Sequence, residues 1–369
     1  MVLSLAVILS VMWAFSRRAP ATVPSLPDLE PNALYAAFLE DEQAHWQGET
    51  AGELTPTSVI CQARLTRTGR IAGGDVAGAP GLGAFLVARD PAFHDAITTP
   101  WAVASAEKDF IIRRKISGLA PDTEYYVRLL SGSSISELRL GPVARFRTPG
   151  GRGATGDNVY YDSPYFSRAK DLPDMRAKWH RQFAVPRFQR FLLRVPVYWQ
   201  KDDHDYRYND ADPYGDLEPS HELGVTVFRE QVPVVDAANP HARTYRTHRL
   251  NDLLQIWLLE GRDYRDANTD PPSPTKTMWG DAQKAWLKRT LRESDATFKI
   301  ISSPTPMIGP DDEMVGTQGG ILSPFFGGAA VGQEGDTRKR DNHTNEYGYK
   351  DEGEAFFRWL GEHGFRERN

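Results

Sequence analysis

A single cysteine in 369 residues, Cys61, rules out an intrachain disulfide and any cysteine-built zinc cluster. It falls in an alternating segment and reads as a small core residue. An excess of one charge is also missing: 44 basic residues against 49 acidic ones leave a net charge of −5, with no dominant basic patch, so no nucleic-acid-binding surface is evident. No Gly-x-Ser-x-Gly elbow lies near a strand end, which argues against a serine-triad esterase. No uninterrupted apolar run reaches the about 20 residues that a comfortable membrane span needs. The run Met1 to Phe15 has the length of a signal-peptide core, and Ala19-Pro-Ala21 has the small-x-small form of a cleavage site. No Lys or Arg precedes the run and Arg17-Arg18 follow it, so residues 1–21 read as a signal peptide or an uncleaved anchor. Export to the periplasm, cell surface or medium is the expectation, with membrane attachment only through residues 1–15.

What is present suggests two domains, since the length exceeds that of one ordinary domain and the apolar content can fill sizeable cores. Residues 22–53, rich in Pro, Ala and acidic side chains, read as a linker with one short helix near Ala33–Leu39. The character then changes. Thr57–Leu65 alternates with period two, Asp109–Ile116 and Val143–Thr148 read as strands, and Gly- and Pro-rich turns separate them. Leu119-Ala-Pro-Asp-Thr-Glu-Tyr-Tyr-Val-Arg-Leu129 matches the corner of a fibronectin type III-like sandwich, with Tyr125 as the capping tyrosine. Residues 54–149 are therefore expected to form a small β-sandwich.

The chemistry concentrates in Tyr198-Trp-Gln-Lys-Asp-Asp-His-Asp-Tyr-Arg-Tyr-Asn-Asp210, which follows Phe191–Tyr198, a segment that reads as a buried strand. Asp202, Asp203, Asp205 and Asp210 repel one another, and either a bound metal ion or open water would hold them at one turn. Gly156-Asp157-Asn-Val-Tyr160 offers a second carboxylate, with a phenol three residues on. If both segments end adjacent strands of an open sheet, Asp157, Tyr160, Asp203 and His204 converge.

In combination the two segments resemble the calcineurin-like metallophosphatases, specifically the alkaline phosphatase D (PhoD-like) family. The order of the domains agrees, since that family carries a small β domain ahead of its catalytic one. Trp279–Glu293 followed by Phe298–Pro306 resembles the family's Gln-x-x-Trp-Leu and Phe-Lys-Ile-Ile run, and Glu260-Gly-Arg-Asp-Tyr-Arg265 resembles another family element.

The resemblance implies a two-domain α+β and α/β chain: an N-terminal β-sandwich, then, over residues 153–369, a partial metallophosphatase α/β/β/α sandwich. It also implies hydrolysis of small phosphate esters, mono- or diester, by metal-activated water or hydroxide. Asp157 would bridge two ions and Tyr160 would favour Fe3+. Asp203 and Asn209 would hold a second ion, Ca2+, and His204 would protonate the leaving group or stabilise the phosphoryl oxygens. Arg262 and Arg265 would contact phosphate, Arg262 in a catalytic role and Arg265 in binding the substrate. Neither the family's early ligand strand nor its final Gly-Asp-x-His strand is found here. The expectation is thus an incomplete metal-binding sheet with little or no turnover, and the alternative is an inactive fragment or vestigial phosphatase acting as a binding module.

Further along, Leu172–Phe191 reads as one helix with Met175, Trp179 and Phe183 on its apolar face, and Pro219–Pro240 reads as a loop. Thr244–Leu259 reads as one or two strands and Trp279–Glu293 as a helix with Ala282, Trp286 and Leu287 to Leu291 inward. The Gly-rich stretch after Asp312 reads as an insertion or lid, and Asp351–Leu360 as a last helix burying Phe356, Trp359 and Leu360.

Overall fold

Alternating and continuous apolar segments in the first half of the chain produce strands, as β-branched and small residues pack on a pleated surface. The computed structural model describes residues 47–67, 69, 71–148, 152–153, 157–308 and 340–365. The expected signal or anchor, the helix near Ala33–Leu39 and the Gly-rich insertion lie outside the described residues. Among the described residues, no helix is long and apolar enough to cross a membrane. The chain divides into two units, residues 1–151 with 183–197 and 236–238, and the remainder.

In the first unit, Glu49–Gly52 (β1) and Ser58–Arg64 (β2) pair antiparallel. The strand β1 lies within the stretch expected to be linker, which corrects that boundary. Its four residues are all buried, and a buried backbone must pair. Gly81–Ala88 (β3) is followed by Ile97–Thr98 (β4) and Ala102–Ala104 (β5), both paired to β3. Ile111–Ser117 (β6) pairs with β2, and Glu124–Gly132 (β7) pairs with β3, with Leu138–Leu140 (β8) and with Ala144–Arg147 (β9).

Two sheets result. Every residue of β2 is buried because β1 and β6 flank it, so its period-two pattern is not expressed as exposure. Cys61 is fully buried there. The Tyr125 hydroxyl accepts the Ala120 N–H at 2.8 Å, holding the corner into β7. Between the partners β9 and β8, the Glu49 carboxylate accepts the Leu129 N–H at 3.1 Å, joining one sheet to the other.

The stretch read as one long helix is two. Leu172–Phe183 (α1) buries Met175, Trp179 and Phe183 as expected, whereas Pro186–Leu192 (α2) starts anew with proline in its first turn. Phe191 and Leu192 therefore belong to a helix end, and the expected long strand shrinks to Val197–Tyr198 (β11), with Val197 opposite Gly52. Arg152–Gly153 (β10) precedes it in the chain.

In the second unit, Arg246–Arg249 (β12) pairs antiparallel with Leu254–Leu258 (β13), which runs parallel to Phe298–Ser302 (β14). The stretch read as loop contains His221–Gln231 (α3), capped by the Ser220 hydroxyl accepting the Leu223 N–H. Gly280–Glu293 (α4) presents Gln283, Trp286, Leu287 and Leu291 inward, while Ala282 is exposed, contrary to expectation. Lys350–Glu362 (α5) sets Phe356 edge-on to Trp279 at 5.2 Å. Trp359 and Leu360 are partly buried against the same core, which also takes in Tyr245, Trp257 and Tyr349.

Candidate metal centre

The acidic turn begins where the chain is locked to the carboxyl ends of parallel strands β13 and β14. Gln200 Nε2 donates to the carbonyls of Leu259 (2.7 Å) and Ser302 (2.8 Å), and its Oε1 accepts the Ser302 hydroxyl at 2.8 Å. Next to it, Lys201 is fully buried, with its ammonium 2.9 Å from Glu260 and 2.6 Å from Asp263. Glu260 is pinned in turn by Gln283, which accepts its N–H and donates to its carbonyl, both at 2.8 Å. Buried charges persist only when paired and hydrogen-bonded in this way. The loop 201–210 is thereby fixed on a rigid frame.

Two pairs meet on that frame. One ligand atom each from Asp157, Asp203 and His204 lie within 4.8 Å of one another. The Tyr160 hydroxyl donates to Asp157 Oδ2 at 2.9 Å, and its ring stacks on the His204 ring with centroids 4.1 Å apart. The structure thus brings Asp157, Tyr160, Asp203 and His204 together across more than forty residues of sequence. Neither pair ends a long strand; each sits in a loop held by hydrogen bonds. Asp157 and Asp210 adopt the left-handed conformation, with φ of 64° and 56°. Such backbone costs about 1–3 kcal/mol for a residue other than glycine and persists where the surroundings impose it. At Asp210 the cause is visible: its N–H donates to Asp203 Oδ2 at 2.6 Å.

A further residue, not anticipated from sequence, organises the site. Asp162 is buried, with both oxygens on His204 Nδ1 at 2.8 and 2.9 Å, and it also accepts the Asn209 N–H at 2.9 Å. With Nδ1 engaged, Nε2 is the imidazole nitrogen left to face a ligand. Asn209 thus joins the site through its backbone, and its side-chain amide makes no hydrogen bond among the described residues.

The electrostatics follow from crowding. Burial, then the Asp203 charge, raises Asp157 above the usual carboxylate range. Burial also works against ionisation of Asp203, but Arg262, His204 and the N–H groups of Asp210 and His204 outweigh it and hold the group at about 2. For His204, burial opposes the charge, and the Asp162 hydrogen bond with the charges of Asp203, Asp162 and Asp157 lifts it to about 9. Burial and the bond to Asp157 raise the Tyr160 phenol.

Arg262 and Arg265 depart from expectation. Both are 1 % exposed. Arg262 gives Nε (2.9 Å) and Nη2 (2.6 Å) to Asp202 and Nη1 to the Ala211 carbonyl, and Nη2 lies 3.7 Å from Asp203 and 3.5 Å from Asp341. Arg265 donates to the carbonyls of Gly261 and Asp341 and to Asn268 Oδ1, with its guanidinium over the Tyr349 ring. These internal contacts stand where phosphate contacts were expected, since both guanidinium groups are buried and directed to acceptors of the protein itself. Asp202 and Asp205 are structural as well: Asp205 accepts the N–H groups of Asp202 (2.7 Å) and Asn158 (3.1 Å).

The donor set fits a hard cation. Carboxylate oxygens of Asp157 and Asp203 and one imidazole nitrogen converge within the span of a coordination shell, with the Tyr160 phenol beside them. A second group, Asp203, Asp210 and Asp341, also gathers within 4.8 Å, but Arg262 already supplies its positive charge.

Frame and centre together are those of a metallophosphatase fold, with an acidic cluster that fits a metal site. The family model "PhoD-like phosphatase" matches residues 150–366 and "PhoD-like phosphatase, N-terminal domain" matches residues 36–150. The chain belongs to the PhoD-like phosphatase family. Among solved structures, "Structure of PhoD" is similar at 17 % identity and a TM-score of 0.62, covering 87 % of this chain and 70 % of that one. A purple acid phosphatase, PPD1 from yellow lupin (Lupinus luteus) seeds, aligns at 11 % identity and a TM-score of 0.47, covering 72 % and 52 %. No curated protein matches the sequence.

Proposed function

We propose that this chain hydrolyses small phosphate esters at a metal centre held by Asp157, Tyr160, Asp203 and Asn209, with His204 beside it as the proton donor. The observation that carries the reading is the meeting of the Asp157–Tyr160 and Asp203–His204 pairs. Ferric iron suits the side bearing the Tyr160 phenol and calcium the oxygen donors of Asp203 and Asn209. When bound, such ions neutralise charge on the phosphoryl group and acidify water.

The chain's own residues do the rest. Asp162 fixes the His204 ring, so that Nε2 is aimed while Nδ1 is tied. A proton on Nε2 would pass to the departing alkoxide or hydrogen-bond the phosphoryl oxygens. Tyr160 holds the other face of that ring and limits its rotation. The proposal includes export, supported by the apolar run Met1 to Phe15, with any membrane attachment confined to it.

The test is to measure metal content and turnover of the purified full chain with p-nitrophenyl and bis-p-nitrophenyl phosphate, in iron and calcium. Metal binding, with turnover that Asp157→Ala removes, supports the reading. Metal binding without turnover favours a vestigial binding module, and binding of neither ion overturns the proposal.

A further inference from the structure

The sandwich unit carries a basic cleft that the metal centre does not use. A cavity of ≈ 460 Å³ is lined by Tyr126, Val143, Arg145, Arg190, Leu193 and Arg194. Three of its six lining residues are arginines and none is a carboxylate, in a chain whose net charge is −5. All three arginines are exposed, and none of their guanidinium groups makes a hydrogen bond or ion pair among the described residues. Arginines packed inside the protein behave differently. Arg64, Arg176, Arg207, Arg262 and Arg265 each spend their donors on internal acceptors.

The walls of the cleft are tied together. Arg145 lies on β9, whereas Arg190 lies in the last turn of α2 and Arg194 just beyond it. The Arg145 N–H donates to the Leu193 carbonyl at 2.9 Å, so strand and helix end hold a fixed separation. A cation near a helix C-terminus is favourable by itself, which accounts for Arg190 alone. It does not account for Arg145, which a different element brings to the same cavity. Glu124 accepts the Tyr126 hydroxyl at 2.6 Å beside the cavity, but three arginines outnumber it, and an anion with several oxygens relieves their repulsion while accepting from more than one guanidinium fork. Val143 and Leu193 give the cleft an apolar side, which lowers the competition from water for those donors.

We propose that the cleft formed by Arg145, Arg190 and Arg194 is a second anion site, built for a dianionic phosphoryl group and separate from the metal centre. It holds a phosphorylated molecule by its phosphate without cleaving it, since no carboxylate, imidazole or thiol lines the cavity. The group could come from a soluble phosphate ester or from the headgroup of an anionic lipid, and both present the same oxyanion.

The experiment is calorimetric titration of pyrophosphate into the full chain carrying Asp157→Asn, with chelator present, so that the metal centre does not contribute. Saturable binding is expected. Arg190→Gln with Arg194→Gln should weaken it at least about tenfold, the cost of losing charge-assisted donors, and added salt should weaken it further. Arg145→Gln, from the opposite wall, should produce a similar loss and guards against a purely helical effect. The side chains are exposed, so the melting temperature of each variant should stay close to that of the parent.

Co-sedimentation with phosphatidate vesicles, competed by pyrophosphate and absent with phosphatidylcholine, would assign the lipid source. Pyrophosphate binding without vesicle binding would assign the soluble one. No saturable pyrophosphate binding, or an affinity that the arginine substitutions leave unchanged, overturns the proposal.

Discussion

Replacing Glu49 by Gln should remove a pH dependence of stability that the sandwich unit carries in a single side chain. Glu49 is fully buried, one carboxyl oxygen accepts the Leu129 N–H, and the other is without a partner among the described residues. Burial outweighs that hydrogen bond and the Arg128 charge, raising the group from 4.5 to about 8. The folded chain therefore keeps a proton that the unfolded chain releases above pH 4.5. The stabilisation is fully present below that value, falls as pH rises from 4.5 to about 8, and levels off above. At 1.36 kcal/mol per pH unit the whole window spans about 5 kcal/mol at most.

Glutamine cannot ionise but keeps an oxygen for Leu129. Its amide N–H group, placed at the unpartnered oxygen, should cost about 1–3 kcal/mol at pH 5. The variant is therefore expected to be less stable than the parent at pH 5 and more stable at pH 9. Urea unfolding of both proteins across this range, with hydrogen exchange at the Leu129 amide as a local readout, decides the matter. A stability difference that does not change between pH 5 and 9 would refute the reasoning.

Three more outcomes are expected. Asp162→Asn should lower metal affinity or activity about 10- to 100-fold through loss of His204 orientation, and a shifted imidazole NMR signal in the variant should accompany it. Arg265→Ala should destabilise the second unit in a denaturant titration by about 1–3 kcal/mol for each buried acceptor left unsatisfied, whereas a substrate-binding arginine would raise KM and leave stability intact. Trp179→Ala should cost about 3–5 kcal/mol, since the ring is fully buried against Trp199 and Phe228 and its indole N–H bonds the Tyr161 hydroxyl at 2.7 Å. Thermal unfolding of that variant supplies the check.

The parts of the fold legible from sequence are those where a period or a residue chemistry is local. Met175, Trp179 and Phe183 recur at helical spacing, and all three are buried. The break at Pro186 was obscured because apolar residues continue through it, and a short apolar run such as Phe191–Tyr198 reads equally as strand or helix end. The helix His221–Gln231 was announced by Ser220 but masked by flanking prolines. At the site, the Asp157–Tyr160 and Asp203–His204 pairs were legible because carboxylate, phenol and imidazole cluster in short stretches. Asp162 was not: it meets His204 through the fold, and no spacing rule marks a carboxylate five residues after another. Nor does sequence distinguish a guanidinium turned inward from one facing a substrate, which is why Arg262 and Arg265 carried roles that their burial removes.

Arg262 has a consequence for how such a protein is made. It sits between Asp202, Asp203 and Asp341 as a cation covalently fixed in the chain, so one side of the acidic ring is neutralised before any ion arrives. The loop can therefore close without waiting for metal, and removal of an ion from the proposed Asp157 side would not leave the whole cluster without a cation. Loading of the proposed metal would then be a step that follows folding and can be repeated, rather than one on which folding depends.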